Sequence, residues 1–185
     1  MIWFNSAGRL ALRRPRRWLW WICSAGPRFL VSMVGLDGLT VTSAHGVTVS
    51  ADLRLEQVRE EDLEMLILPG GLGGVEKIQK SLAAQGMIQR AAEEGAYVAA
   101  ICAAPTILAH LTLLDRRKAV CYPGMEDQMY SAVVQKGEHV VVDGRFITGE
   151  AAGSVFEFGL KLVEVLRGKE AADQVKHSVH YHYGS

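Results

Sequence analysis

Two short apolar runs joined by one helical pattern constrain this chain most. Met65-Leu66-Ile67-Leu68 and Tyr97-Val98-Ala99-Ala100-Ile101 are uninterrupted and short, the reading of strands buried on both faces. Between them, Ser81 to Glu94 places Leu82, Met87, Ile88 and Ala91 on one side of a helix, and Gly95 stops it. Strand, helix, strand in that order predicts a parallel sheet with right-handed crossovers and helices packed on its faces, an α/β fold.

Both apolar runs end in residues that carry chemistry. The second runs into Cys102-Ala103-Ala104-Pro105 and then Thr106 to Leu114, which reads as helix. Cys102 therefore sits at a sharp strand-to-helix turn at the carboxyl edge of the sheet. The amino end of a helix favours thiolate over thiol, so Cys102 is the candidate nucleophile. A buried structural cysteine acting as a small hydrophobe is the alternative. The first run ends in Pro69-Gly70-Gly71-Leu72-Gly73-Gly74. The backbone N–H groups of Gly70 and Gly71, with that of Ala103, are placed to hold an oxyanion beside such a nucleophile. No Lys-Ser/Thr follows the glycines and their spacing matches no dinucleotide fingerprint, which weakens a phosphate-loop reading.

Composition narrows the class. Twenty basic and twenty acidic residues cancel, so nothing in the body of the chain suggests nucleic-acid binding. At 185 residues the chain is long enough for one sizeable core. Its three cysteines, Cys23, Cys102 and Cys121, show neither metal spacing nor a disulfide framework, which favours a reducing, cytoplasmic compartment. No stretch is apolar enough for long enough to span a bilayer.

The motifs Leu66-Ile67-Leu68-Pro69-Gly70-Gly71 and Ala99-Ala100-Ile101-Cys102-Ala103-Ala104-Pro105 together resemble the ThiJ/PfpI family, in the branch that holds the Parkinson-associated protein deglycase and its bacterial relatives. Phe156-Glu157-Phe158-Gly159-Leu160 and Gly168-Lys169-Glu170 match the same branch, and the resemblance runs from about Val34 to Val175. It implies a flavodoxin-like parallel sheet sandwiched by helices, and a cofactor-independent cysteine enzyme acting on methylglyoxal, glyoxal or their glycation adducts. It also implies a homodimer. The alternatives are an oxidative-stress sensor or holdase chaperone working through Cys102 oxidation, and an inactive paralogue.

The resemblance marks further positions. Many relatives place a histidine where Tyr122 stands. A phenol donates a hydrogen bond but is a poor base at neutral pH, so a Cys-His dyad at this position is excluded. Tyr122 is expected to orient a substrate or to bind an oxidised sulfur. The family arginine is replaced by Glu150, which makes the pocket less anion-friendly. Glu150 either supplies a carboxylate near Cys102 or stands exposed in its loop. The position of His45 lies near the active site of the neighbouring subunit in resembling dimers; a turn histidine in water is the other reading.

Residues 1–33 are of a different kind. They hold all four tryptophans, the basic cluster Arg13-Arg14-Pro15-Arg16-Arg17 and no acidic residue. A basic region followed by Trp18 to Ala25 has the look of a targeting segment, interrupted by Gly26-Pro27-Arg28. A frame-shifted translation up to about Ser32 explains more. Codons exist for Arg13 to Trp18 that, in the neighbouring frame, give the Glu-Glu-Ala-Glu-Ala-Leu of the family's opening turn. The family glutamate that contacts the cysteine then falls at Arg16. On this reading 1–33 is a non-native or disordered segment lacking the first strand and helix, and 34–185 is the ThiJ/PfpI-like domain.

The remaining elements follow from local pattern. Leu39 to Thr42 and Val47 to Val49 alternate and predict two strands. Ala119 to Tyr122 reads as a short strand with Cys121 structural and on the opposite face from Tyr122. Val133-Val134, His139 to Val142 and Arg145 to Thr148 predict an antiparallel add-on with Asp143-Gly144 as its turn. Ser154 with Glu157 is placed to form a capping box on the last long helix, which ends at Gly168 and is followed by a shorter one. His177, His180 and His182 read as a His-rich tail rather than a metal site.

Overall fold

The computed structural model describes residues 2–5, 29–42, 48–59, 61 and 63–181. Its centre is a seven-stranded sheet. The strands are β1 (Ile2–Asn5), β2 (Ser32–Gly35), β5 (Leu53–Arg54), β6 (Met65–Leu68), β7 (Tyr97–Ile101), β10 (Val140–Asp143) and β11 (Phe146–Gly149). They lie in the order β10-β11-β7-β6-β1-β2-β5. Every pair is parallel except β10 with β11. Chain order reverses between β1 and β6, and open α/β sheets hold ligands beside such a switch point, at the carboxyl ends of the strands.

The alternation of side chains along β6 and β7 builds two cores. Leu66, Leu68, Val98 and Ala100 face one side, and Met65, Ile67, Ala99 and Ile101 face the other. Against the first pack α1 (Leu72–Lys80), α2 (Leu82–Glu93) and α3 (Pro105–His110), through Val75, Ile78, Met87, Ile88, Ile107 and Leu108. Against the second packs α4 (Val155–Arg167), through Val155, Phe158 and Leu162. A last helix, α5 (Lys169–Ser178), lies on α4 through Ala172 and Val175. This is the expected flavodoxin-like arrangement. Two small sheets complete it: antiparallel β3 (Thr40–Thr42) with β4 (Thr48–Ser50), and parallel β8 (Lys118–Ala119) with β9 (Val133–Val134).

The structure departs from the sequence expectations in five places. The first strand is present. Ile2–Asn5 pairs with β2 on one side and β6 on the other, so neither edge is left bare there. Ile-Trp-Phe is a β-branched and aromatic run with strong strand preference. The rest of the basic, tryptophan-rich segment, residues 6–28 with Arg16, lies outside the described residues. Second, a helix not foreseen, α1, begins directly after Gly71 and incorporates Gly73 and Gly74. Each of those glycines costs a helix about 1 kcal/mol against alanine; burial of Val75 and Ile78 offsets it. Third, the three-segment antiparallel add-on does not form. β11 pairs parallel with β7, and Val133–Val134 pairs parallel with β8, which is Lys118–Ala119 rather than Ala119 to Tyr122. Only β10 is antiparallel to its neighbour in the main sheet. Its hairpin turns at Gly144-Arg145, with Gly144 at φ 60°. Fourth, α3 ends at His110 rather than Leu114, because Thr112 takes a left-handed φ of 61°. Fifth, no capping box forms at α4. The Ser154 hydroxyl turns back instead, donating to the Ala151 carbonyl at 2.9 Å and accepting the Ala151 N–H at 3.1 Å.

Candidate active site at the Cys102 elbow

Cys102 follows the last residue of β7, and its backbone φ is 67°. A non-glycine residue rarely adopts this conformation, which costs on the order of 1–3 kcal/mol and gathers at functional turns. The turn also breaks the side-chain alternation. Residue parity would send Cys102 to the core of Val98 and Ala100; instead it joins Met65, Ile67, Ala99 and Phe158 on the α4 side. Ala103 returns to the first core. The side chain is 9% exposed, so the thiol is largely covered without being sealed.

Three neighbouring loops hold the elbow. The Cys102 N–H donates to the Gly149 carbonyl at 2.9 Å, at the end of β11. The Cys102 carbonyl accepts the Tyr122 N–H at 2.8 Å. Gly70 closes the third side with φ 75°: a Cβ there would stand 2.2 Å from the Ile101 oxygen, 3.2 Å from the Cys102 Cβ and 3.3 Å from the Ala103 nitrogen. Only glycine permits this approach. Gly71, at φ 93°, is the N-cap of α1. Buried hydroxyls brace the frame: Thr106 donates to the Ala103 carbonyl at 2.7 Å, and Thr148 accepts the Val120 N–H at 2.9 Å.

The structure thus brings Cys102, Gly70, Ala103 and the backbone of Tyr122 together, and Gly71 stands next to Gly70. The Tyr122 side chain is 47% exposed. The Glu150 carboxylate does not stand free: its Oε2 lies 2.9 Å from Nδ1 of His139, across the β10–β11 end, and its N–H donates to the His139 carbonyl. That hydrogen bond, and after it the charge of Glu157, raise the His139 pKa above its usual value. His45 lies outside the described residues, as does His182. No group of three or more histidine, cysteine or acidic side chains among the described residues is arranged to hold a metal ion. No described helix is long and apolar enough to cross a membrane.

Sequence reasoning missed Gly149, whose carbonyl accepts the Cys102 N–H and fixes the elbow. A glycine closing an apolar run was the available signal for it.

Cys121 is the second thiol here. Burial, then the charge of Glu126, then Cys102, push its pKa up to about 11. It belongs to the core opposite Cys102 and is 3% exposed. At pH 8 the native Cys121 is expected to react with iodoacetamide roughly 10²-fold more slowly than in denaturant, because the thiolate is the reactive form. Peptide mapping after timed labelling measures this; equal rates in the two states would show a free, ordinary thiol.

An α/β sheet with a left-handed cysteine elbow, a glycine pressed against it and the switch point alongside defines a class of protein. A profile of the DJ-1/PfpI family matches residues 24–165, and the chain belongs to that family. Among its relatives is protein dj-1beta of Drosophila melanogaster, 36% identical over 149 residues, 78% of this chain and 79% of that protein. The crystal structure of that relative superposes with a TM-score of 0.90, covering 98% of this chain and 97% of the other at 28% identity over the longer span. A deglycase of Pyrococcus horikoshii is 33% identical over 129 residues, 69% of this chain and 77% of the relative. A glutathione-independent glyoxalase of Caenorhabditis elegans is 31% identical over 137 residues, 73% and 72% of the two chains.

Proposed function

We propose that the chain is a cysteine enzyme that acts on 2-oxoaldehydes such as methylglyoxal and glyoxal, or on the adducts they form. The observation that carries this reading is the Cys102 elbow: a largely covered thiol held at φ 67° against Gly70. Relatives named deglycase and glyoxalase support the same chemistry.

The Cys102 thiolate attacks the aldehyde carbon, forming a C–S bond and moving the carbonyl electron pair onto oxygen. The N–H groups of Gly71 and Ala103 donate to that developing oxyanion as a hemithioacetal forms. Water takes the proton from the former aldehyde carbon, giving an enediol, and returns a proton to the neighbouring carbon, leaving a thioester. The position that the family's carboxylate would fill is Arg16, which cannot accept a proton. Water hydrolyses the thioester and frees the thiol. The net change for methylglyoxal is addition of one water to give lactate. It is redox-neutral and consumes no cofactor. Tyr122 orients the substrate oxygen by donating its phenolic hydrogen.

In a discontinuous assay of methylglyoxal loss and lactate gain, Cys102→Ser is expected to lower turnover at least ~10³-fold, since an alcohol without an activating base is a poor nucleophile. Turnover unchanged by that substitution would overturn the reading.

A further inference from the structure

The main sheet has two edges, and they differ. One is β5, two residues long and ending in Arg54. The other is β10, Val140-Val141-Val142-Asp143, with no lysine, proline or glycine in it. Short length, lysine and proline are the usual ways to blunt an edge. β10 instead carries three valines, a residue type that favours strand pairing.

The register fixes which of its backbone groups are free. The Glu150 N–H donates to the His139 carbonyl at 2.9 Å, and Val140 stands opposite Gly149. Bonded and non-bonded pairs alternate along an antiparallel ladder, so His139, Val141 and Asp143 direct their N–H and C=O groups to β11. Those of Val140 and Val142 point the other way, out of the sheet. Among the described residues no other group takes them up. β8 does not close this edge. Its Lys118 N–H donates to the Asp143 carboxylate at 2.8 Å, and the Val120 N–H that follows donates to the Thr148 hydroxyl at 2.9 Å. Thr148 is level with Ala100, on the face of the first core, so β8 lies over that face rather than beside the edge. Val142 is accordingly 43% exposed. The undescribed residues 6–28 join β1 to β2, and three strands separate β1 from β10.

Laid antiparallel to itself about Val141, this strand is self-complementary. Each outward N–H of Val140 and Val142 meets the C=O of the other valine across the seam. Val141 stands opposite Val141, and Glu138 stands opposite Gly144, so no like charges meet. At both ends His139 stands opposite Asp143. Each already belongs to an ion pair of its own chain, His139 with Glu150 at 2.9 Å and Asp143 with Arg117 at 3.5 Å. The hydrogen bond from Glu150, and after it the charge of Glu157, hold the His139 pKa up and favour its cationic form. Cation and carboxylate therefore face carboxylate and cation across each end of the seam, the arrangement that cross-strand charges favour.

We propose that β10 pairs antiparallel with β10 of a second copy of this chain, centred on Val141, and joins the two seven-stranded sheets into one. The contact is independent of the reaction proposed for Cys102. A seam this short lies at the small end of specific interfaces, so its dissociation constant is expected to be roughly 10–100 µM.

Two variants of the full chain test it. Val142→Pro removes one outward N–H. An edge strand tolerates proline where the N–H faces outward, so the variant should keep the parent's melting temperature within a few degrees. In sedimentation at up to about 200 µM chain, the native protein is expected to reach twice the mass that Val142→Pro reaches. Val141→Cys places one thiol on each side of the seam at a non-hydrogen-bonded position, where paired Cα atoms stand about 4.5 Å apart, within disulfide range. Val141 is 8% exposed, so random collision does not link it. Diamide, which takes up the two thiol hydrogens, should give a covalent dimer whose peptide map joins position 141 to position 141. Val133→Cys, 48% exposed on β9 and away from the edge, should give no such enrichment. Equal masses for the native protein and Val142→Pro, or a Val141→Cys protein that stays unlinked, would overturn the proposal.

Discussion

Gly70→Ala is expected to lose about 3 kcal/mol or more of stability in urea unfolding, and to slow Cys102 alkylation by roughly 10²-fold. Two penalties combine. An L side chain at φ 75° pays about 1–2 kcal/mol for the left-handed backbone. The new Cβ would also sit 2.2 Å from the Ile101 oxygen, a backbone atom with no rotamer to escape into. Relief requires the two strand ends to part, and a displacement of about 1 Å at a reacting group is enough to cost 10² in rate. Gly153→Ala is the control. That glycine has no positive φ and nothing within 4 Å of the added carbon, so it should be neutral. A Gly70→Ala protein within about 1 kcal/mol of the parent would show that the approach of the glycine loop to the elbow is not as close as described.

Phe158→Ala is expected to cost about 3–5 kcal/mol, the usual range for emptying a fully buried aromatic site. Phe158 is 0% exposed and packs beneath the elbow with Ile101, Cys102 and Val155. Its ring edge also limits Gly149: a Cβ there would lie 2.8 Å from the ring and 2.9 Å from the Ile101 side chain. Gly149→Ala alone should therefore overpack the site, at about 1–3 kcal/mol. In the Phe158→Ala background the same change should cost far less, giving a coupling of about 1 kcal/mol or more in a double-mutant cycle. Additive effects would mean that the two residues do not share the space under Cys102.

What the sequence revealed of this fold was what depends on near neighbours. The buried runs at 65–68 and 97–101 stood out because parallel strands covered on both faces lose their alternation. Ser81 announced α2, and its hydroxyl does accept the Ala84 N–H at 3.2 Å. What stayed hidden depends on distant partners. Phe146–Gly149 looked like one arm of a local hairpin; its parallel pairing with β7 is a long-range choice that no turn residue encodes. The Gly73-Gly74 pair masked α1, since intrinsic propensity was overruled by tertiary burial.

The candidate site divides in the same way. Glycines advertise a left-handed backbone, so Gly70 and Gly71 were legible. The left-handed φ of Cys102 itself was visible only as a strand-to-helix junction. The pairing of Glu150 with His139 is set by the register of β10 on β11, in which Val140 faces Gly149. A turn at Asp143-Gly144 would slip this register; the observed turn at Gly144-Arg145 is what sets it.

The middle position of β1 bears on the order of assembly. It is bonded on both sides, to strands that leave the ribosome after it. Its link to β2 runs through residues 6–31, comparable to the 69–96 crossover from β6 to β7, whereas its pairing with β6 closes residues 6–64, and closure entropy grows with that separation. The seam between β1 and β6 is then expected to be among the last to close, joining two partly formed halves of the sheet, β1-β2-β5 and β6-β7-β11-β10. Until it closes, β1 and β6 each present an open row of N–H and C=O groups, and in that interval the folding chain is most exposed to pairing with another molecule.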